Sequence, residues 1–280
     1  MANIQGVGLR GVGFGLASGV SVARTKGIAR ETNATLAYSL RDIGALGGSV
    51  IRVRRDNDNS EQDFSATEVS NGTLETFVGA GNNGFVRTWY NQAPGGIDLE
   101  QPSTGVQPKI VNSGTLISNG IEFGGNSFLA CQTQGAVFPF PQPLTVFMVS
   151  KLNSASSLFD GYFSDLNNFS ASVFYADTTS SAALTADGTG TNISKGSNNF
   201  NQAYYTVLAN EANSEIRENG TSVATGDIGV ISGIPDRLCI GAITTSFFLN
   251  GSIAELTLFK SNASSLAPKF ESSMASYYGI

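Results

Sequence analysis

Glu215-Ile216-Arg217-Glu218-Asn219-Gly220-Thr221-Ser222-Val223-Ala224 is the stretch on which the reading of this chain turns. Both positions of an Asn-Gly step tolerate positive φ, so the segment predicts two antiparallel strands joined by a two-residue turn. Further strand-like runs stand outward from it in both directions: Tyr204–Leu208, Ser170–Tyr175, Leu144–Val149, Ile121–Phe123, Ile110–Val111 and Phe85–Tyr90 upstream, Leu238–Gly241 and Ile253–Phe259 downstream. Their length and spacing are those of an antiparallel sandwich. The 280 residues are 41% hydrophobic, enough to close a substantial core, and all-β chains of this length form one domain. Thirty-three glycines and only 14% charged residues fit many short strands joined by tight turns.

Helices are expected at the edges. Asn33–Leu46 has a capping asparagine, Leu36, Leu40 and Ile43 at helical spacing, and Gly47-Gly48 as a stop, which predicts a short N-terminal helix. Val50–Arg55 then reads as a strand and Leu74–Ala80 as a short helical or extended piece. Ala267–Tyr278, with Phe270, Met274 and Tyr277 on one side, predicts a terminal helix docked on the sandwich.

Counting residues excludes several chemistries. The chain has no histidine, so a Ser-His-Asp or Cys-His catalytic set, a His-ligated zinc and a histidine pH switch are ruled out. Cys131 and Cys239 lie far apart in apolar contexts and are expected as two buried, unbridged thiols. Four of the sixteen basic residues, Arg10, Arg24, Lys26 and Arg30, fall in the first thirty positions, which carry none of the twenty-two acids. This basic, glycine-rich start (residues 1–33) is expected to be an extended arm that makes an assembly contact, distinct from the sandwich of residues 34–280. Four scattered charges make no phosphate-tracking patch, so nucleic acid is not an expected partner. The apolar run at residues 11–23 is diluted by glycine and serine and is too short for a membrane span.

Ala37-Tyr38-Ser39-Leu40-Arg41, Val50–Arg55 with its Asp-Asn loop, Phe85-Val86-Arg87-Thr88-Trp89-Tyr90-Asn91-Gln92 and Gln107-Pro108-Lys109-Ile110-Val111 together resemble the concanavalin A-like (laminin G-like) domains of tailed-phage virion proteins. Asn250-Gly251-Ser252-Ile253-Ala254-Glu255-Leu256 and the final Tyr277-Tyr278-Gly279-Ile280 resemble the closing part of such domains. The resemblance covers residues 34–280. It implies a jelly-roll sandwich and a virion structural protein, anchored in a head or tail by the arm, partnered by other virion proteins and homo-oligomeric, with a trimer favoured. The Trp-Tyr-Asn-Gln region also resembles the catalytic sandwich of α-arabinofuranosidases. Those enzymes carry adjacent cysteines and a nucleophilic glutamate in a following strand; here the cysteines are apart and no glutamate stands between Glu122 and Glu211, so no catalytic residue is carried over and no enzymatic activity is expected.

Two candidate sites remain. Asp56 and Asp58 with Ser60 resemble half of a calcium loop, but Glu61 stands where a calcium-binding hand needs glycine, which makes a calcium ion a minor expectation. Neighbouring residues on a strand face opposite ways, so with Trp89 expected in the core, Tyr90, or else Tyr162, is the candidate for stacking a sugar at a rim. The alternative to the virion reading is accordingly a glycan-binding adhesion module that meets a host surface glycan, and a glycoside hydrolase stands third.

Overall fold

Period-two segments become strands in the computed structural model, which describes residues 27–131, 142–155, 159–165, 173–186, 191–231, 237–244 and 246–280. In chain order the elements are α1 (Ile28–Glu31), β1 (Leu36–Ser39), β2 (Ser49–Arg55), β3 (Glu61–Ser65), α2 (Ala66–Ser70), α3 (Thr73–Val78), β4 (Gly84–Trp89), β5 (Leu99–Glu100), β6 (Lys109–Asn112), β7 (Thr115–Leu116), β8 (Ile121–Gly124), β9 (Leu129–Ala130) and β10 (Leu144–Leu152). They continue as β11 (Asp160–Asp165), β12 (Val173–Ala176), β13 (Ala183–Thr185), β14 (Asn192–Ser194), β15 (Ala203–Ala209), β16 (Ser214–Glu218), β17 (Thr221–Gly226), β18 (Leu238–Ile240), β19 (Ala242–Ile243), β20 (Phe247–Phe248), β21 (Asn250–Phe259) and α4 (Ala267–Tyr278). The all-β jelly-roll sandwich expected from the sequence is the fold. The Asn219-Gly220 turn takes φ values of 48° and 78° and sets Glu218 opposite Thr221, the mirror-image turn that matches strand twist.

β21 organises the sheets. One of its edges pairs with β10, and the other pairs first with β8 and then with β1. From β10 the ladder runs through β15 and β16 to β17; from β8 it runs through β6, β4 and β2 to β3. β4 also pairs with β5, and that branch continues through β9, β18, β11, β12 and β13 to β14. Among the described residues the pairing is antiparallel apart from a parallel contact of β11 with β20. Leu36, Tyr38, Ile51, Val53, Phe123, Val146, Met148, Val207, Leu256 and Leu258 meet in the sandwich core.

β1, β10 and β21 are covered on both faces, which explains the one element misread from the sequence. The helix expected over residues 33–46 is replaced by β1, in register Leu36↔Leu258 to Ser39↔Glu255. Leu36 and Tyr38 point into the sandwich while Ala37 points to a second apolar layer with Ala29, Phe147, Val149, Phe270 and Met274. With no wet face, the strand shows no polar alternation, and the helical spacing of Leu36, Leu40 and Ile43 is coincidental. A one-turn helix does occur earlier: in α1 Ala29 is buried and donates its N–H to the Ile43 carbonyl at 3.1 Å, so residues 28–31 pack on the sandwich. No described helix is long and apolar enough to cross a membrane.

The terminal helix forms over the expected residues, with Pro268 in its first turn and Gly279 closing it at φ 70°. Phe270 stacks on Phe147 at 4.4 Å between centroids and meets Phe259 edge-on. A polar tie fixes the other end. Arg41 Nε and Nη2 donate to the two oxygens of Glu255 at 2.7 and 2.8 Å, the Ser39 hydroxyl donates at 2.9 Å and the Tyr278 hydroxyl at 3.2 Å. The Glu255 side chain is 1% exposed. A buried carboxylate stripped of its cation is worse than a buried apolar pair. Arg41→Met is therefore expected to cost about 3–5 kcal/mol, and Arg41→Met with Glu255→Leu to recover much of it, as read from urea denaturation.

The two cysteines are buried and form no disulfide, as the sequence suggests. Cys131 faces the sandwich core, whereas Cys239, beside Ala130 on the neighbouring strand, faces outward against Ala242 and Phe128. Burial pushes the Cys131 thiol up to about 12. Neither cysteine should be alkylated in the folded protein at about pH 8, near the ordinary thiol value, and mass spectrometry should find both modified once denaturant unfolds it.

Candidate functional site

Cross-strand register collects the polar outer face. Glu61 pairs with Arg54, Arg54 with Phe85, Phe85 with Lys109, Lys109 with Glu122, and Glu122 with Ser252. Directly paired residues project to the same side, so one row of side chains crosses β3, β2, β4, β6, β8 and β21. The adjoining Val53, Val86, Ile110 and Phe123 point inward.

Within this row β4 changes partners. Gly84 and Phe85 pair with β6, while Thr88 and Trp89 pair with β5. The strands diverge and leave a groove of about 240 Å³, lined by Phe85, Gln107, Lys109, Glu122, Gly124, Asn126 and Ser127.

The wall of the groove is braced from behind. Arg54, 6% exposed, donates from Nε to Gln107 Oε1 at 2.7 Å and from Nη1 to Asn59 Oδ1 at 2.8 Å, and its guanidinium lies 5.0 Å from the Phe85 ring centre. Gln107 Nε2 in turn donates to the Gln101 carbonyl at 2.8 Å, and Gln101 Nε2 donates to the Phe128 carbonyl at 3.2 Å. Among the described residues no carboxylate bonds Arg54; amides and an aromatic face hold this buried cation. The amide of Gln107 and the ring of Phe85 are thereby fixed in orientation. On the opposite wall Lys109 donates to Asn112 at 3.2 Å, and the carboxylate of Glu122 has no hydrogen bond or ion pair among the described residues. A half-exposed ring, a carboxylate acceptor, an ammonium donor and the amide of Asn126 thus converge on one hollow.

The residues singled out from the sequence are placed otherwise. Tyr90 is half-buried beside this face, and its hydroxyl donates to Asp63 Oδ1 at 2.7 Å. Burial, then that bond to a carboxylate, pushes its phenol up to about 12. Tyr162 is not at a rim: it is fully buried, stacks on Phe174 and donates to the Ser181 carbonyl at 3.1 Å. Its position on β11 points it into the core, a direction that isolated strand sequence did not give. Trp89 lies in the core against Tyr38, as expected.

Asp56 and Asp58 do not converge. Asp56 accepts from the backbone and side chain of Asn83, and Asp58 accepts both Arg55 Nε and Nη2. The Arg55 bonds hold Asp58 well below the usual carboxylate range. Among the described residues no group of three or more acids or cysteines is arranged to hold a metal. Arg30 is exposed on α1. Arg10, Arg24 and Lys26 lie outside the described residues.

Phe85, Gln107, Lys109 and Glu122 were not predicted as a site. The available signal is that Phe85 and Glu122 each occupy an outward position between inward neighbours, yet only register shows that the two are separated by a single strand.

No protein-family model matches the sequence, and no curated protein sequence matches it. Solved structures do. An arabinofuranosidase complexed with arabinofuranosyl-α-1,2-xylobiose is similar with a TM-score of 0.61 at 12% identity, over 81% of this chain and 60% of its own. A GH54 α-L-arabinofuranosidase soaked with a cyclic sulfate inhibitor gives 0.59 at 13% identity, over 80% and 58%. The chain thus spans about three fifths of the length of these enzymes, and at such identity the likeness establishes the sandwich fold. It also corrects two expectations. The likeness is to glycosidases, which displaces the virion structural role drawn from the sequence, and the expectation of a protein without enzymatic activity yields to a fold shared with those enzymes.

Asp63 gives the face a defined acid response. Its bonds from Arg52 at 2.7 and 2.9 Å, with the bond from Tyr90, hold its carboxyl below the ordinary range. A carboxylate depressed in the folded state stabilises above its unfolded pKa, about 3.9, and that contribution is lost as pH falls through the folded value. Asp63→Asn should flatten the dependence of the urea midpoint on pH below about 4.

Proposed function

We propose that this chain is a carbohydrate-directed protein whose outer-face groove binds a glycan. The observation that carries the reading is the pairing of a braced aromatic face, Phe85, with the uncommitted carboxylate of Glu122 across a single intervening strand. A sugar presents apolar C–H faces and hydroxyls that both donate and accept. Phe85 suits the first; Glu122 as acceptor, Lys109 as donor and Asn126 as either suit the second. The glycan-binding alternative from the sequence is thus retained on different residues.

Hydrolysis is the second reading, favoured by the similarity to arabinofuranosidases. It requires two carboxyl groups flanking the scissile bond. Glu122 is the acid that lines the groove, whereas Asp63 and Glu100 on the same face are engaged by Arg52 and Arg87.

Calorimetric titration with arabinofuranosyl-xylobiose tests binding. Phe85→Ala is expected to weaken it by about tenfold or more; unchanged affinity would remove the groove from consideration. Reducing-sugar release from arabinoxylan by the parent protein, lost in Glu122→Gln with binding retained, would assign hydrolysis to this site.

A further inference from the structure

β8 has a second hollow at its other end. The groove opens beside Gly124, where β8 finishes; a hollow of about 320 Å³ opens beside Gly120, just before it starts. Ala254, Ser118, Gln202 and the rings of Tyr277 and Tyr278 line this second space.

The two hollows share a face. Glu122 pairs with Ser252, and Ala254 lies two residues further along β21 on the same side, in the layer beneath α4. Gly120 makes their closeness possible: at φ 107°, a Cβ there would lie 2.6 Å from the Ala254 Cα.

Tyr277 is the notable element of the second hollow. Its side chain is among the exposed large apolar ones, at 56%. The ring is nevertheless held: the Arg41 guanidinium lies 4.9 Å from its centre, and Tyr278 meets it edge-on at 4.9 Å. Arg41 is itself fixed by Glu255. A pre-set ring costs little to engage, because its freedom is already spent on folding.

Phe85 stands on the far side of the groove, across β6, and from Gly120 to Gly124, which border the two hollows, is four residue steps, roughly 14 Å at about 3.4 Å per residue. That is the span of a short oligosaccharide. We infer that one glycan chain runs along β8, with one unit on Phe85 and a distal unit on Tyr277, so that the site selects oligosaccharides over single short units. This rests on the glycan-binding reading and adds a distal subsite to it.

Titrations with arabinofuranosyl-xylobiose and with an arabinoxylan fragment several xylose units longer test the inference. The parent protein should bind the long probe about tenfold more tightly than the short one. Tyr277→Ala, at an exposed position, should abolish that gain and leave the short probe unaffected, while Phe85→Ala should weaken both. Equal affinity for the two probes, or a gain that survives Tyr277→Ala, overturns the distal subsite and leaves the groove standing. Binding of neither probe overturns both.

Discussion

Glu255 is a charged group in a place where charge is costly, and the closure of the sandwich depends on how it is satisfied. It sits on β21, which serves β10 on one edge and β8 and β1 on the other. Its oxygens collect Arg41 from just beyond β1, Ser39 from β1 and Tyr278 from α4. One buried carboxylate therefore registers the first described strand, the hub strand and the terminal helix against one another. An apolar contact has no direction and tolerates slippage; a bidentate guanidinium–carboxylate pair does not.

The same economy of placement appears on the outer face. The sandwich interior needs Val53, Val86, Ile110 and Phe123 on one side of four neighbouring strands, and alternation then forces Arg54, Phe85, Lys109 and Glu122 onto the other. Packing thus creates the polar row, and the divergence of β5 from β6 turns part of it into a hollow. Arg54 is buried there without a carboxylate among the described residues, and amides orient it. A cation held in this way is a rigid brace, because Gln107 is itself anchored to the Gln101 carbonyl, and Gln101 to that of Phe128.

Much of this was legible in the sequence, for reasons that can be located. The Asn219-Gly220 hairpin, β2, β4, β10 and α4 were readable because local chemistry and final environment agree there. β1 was not, since a strand covered on both faces carries no alternation and its Leu36, Leu40 and Ile43 mimic a helical stripe. Trp89 was readable as core from its size and strand position, while nothing in the sequence set the direction of Tyr162, which β11 turns into the sandwich core. The groove escaped because its members stand on three strands that are not neighbours in sequence: Phe85, Lys109 and Glu122 meet through ladders alone. Asp56 and Asp58 drew attention by their spacing, but each is spent on a local partner that spacing does not reveal.

The Ser39–Glu255 bond joins residues 216 positions apart, and β1 takes its place by pairing with β21. During synthesis the early strand must consequently wait, its apolar side chains uncovered, until β21 has emerged. Such closure is slow, since the loop entropy is lost before the contact is gained. The abundance of glycine and the brevity of most strands keep the waiting segments poor templates for aggregation. The architecture that locks the finished molecule most firmly is also the one that makes its assembly late.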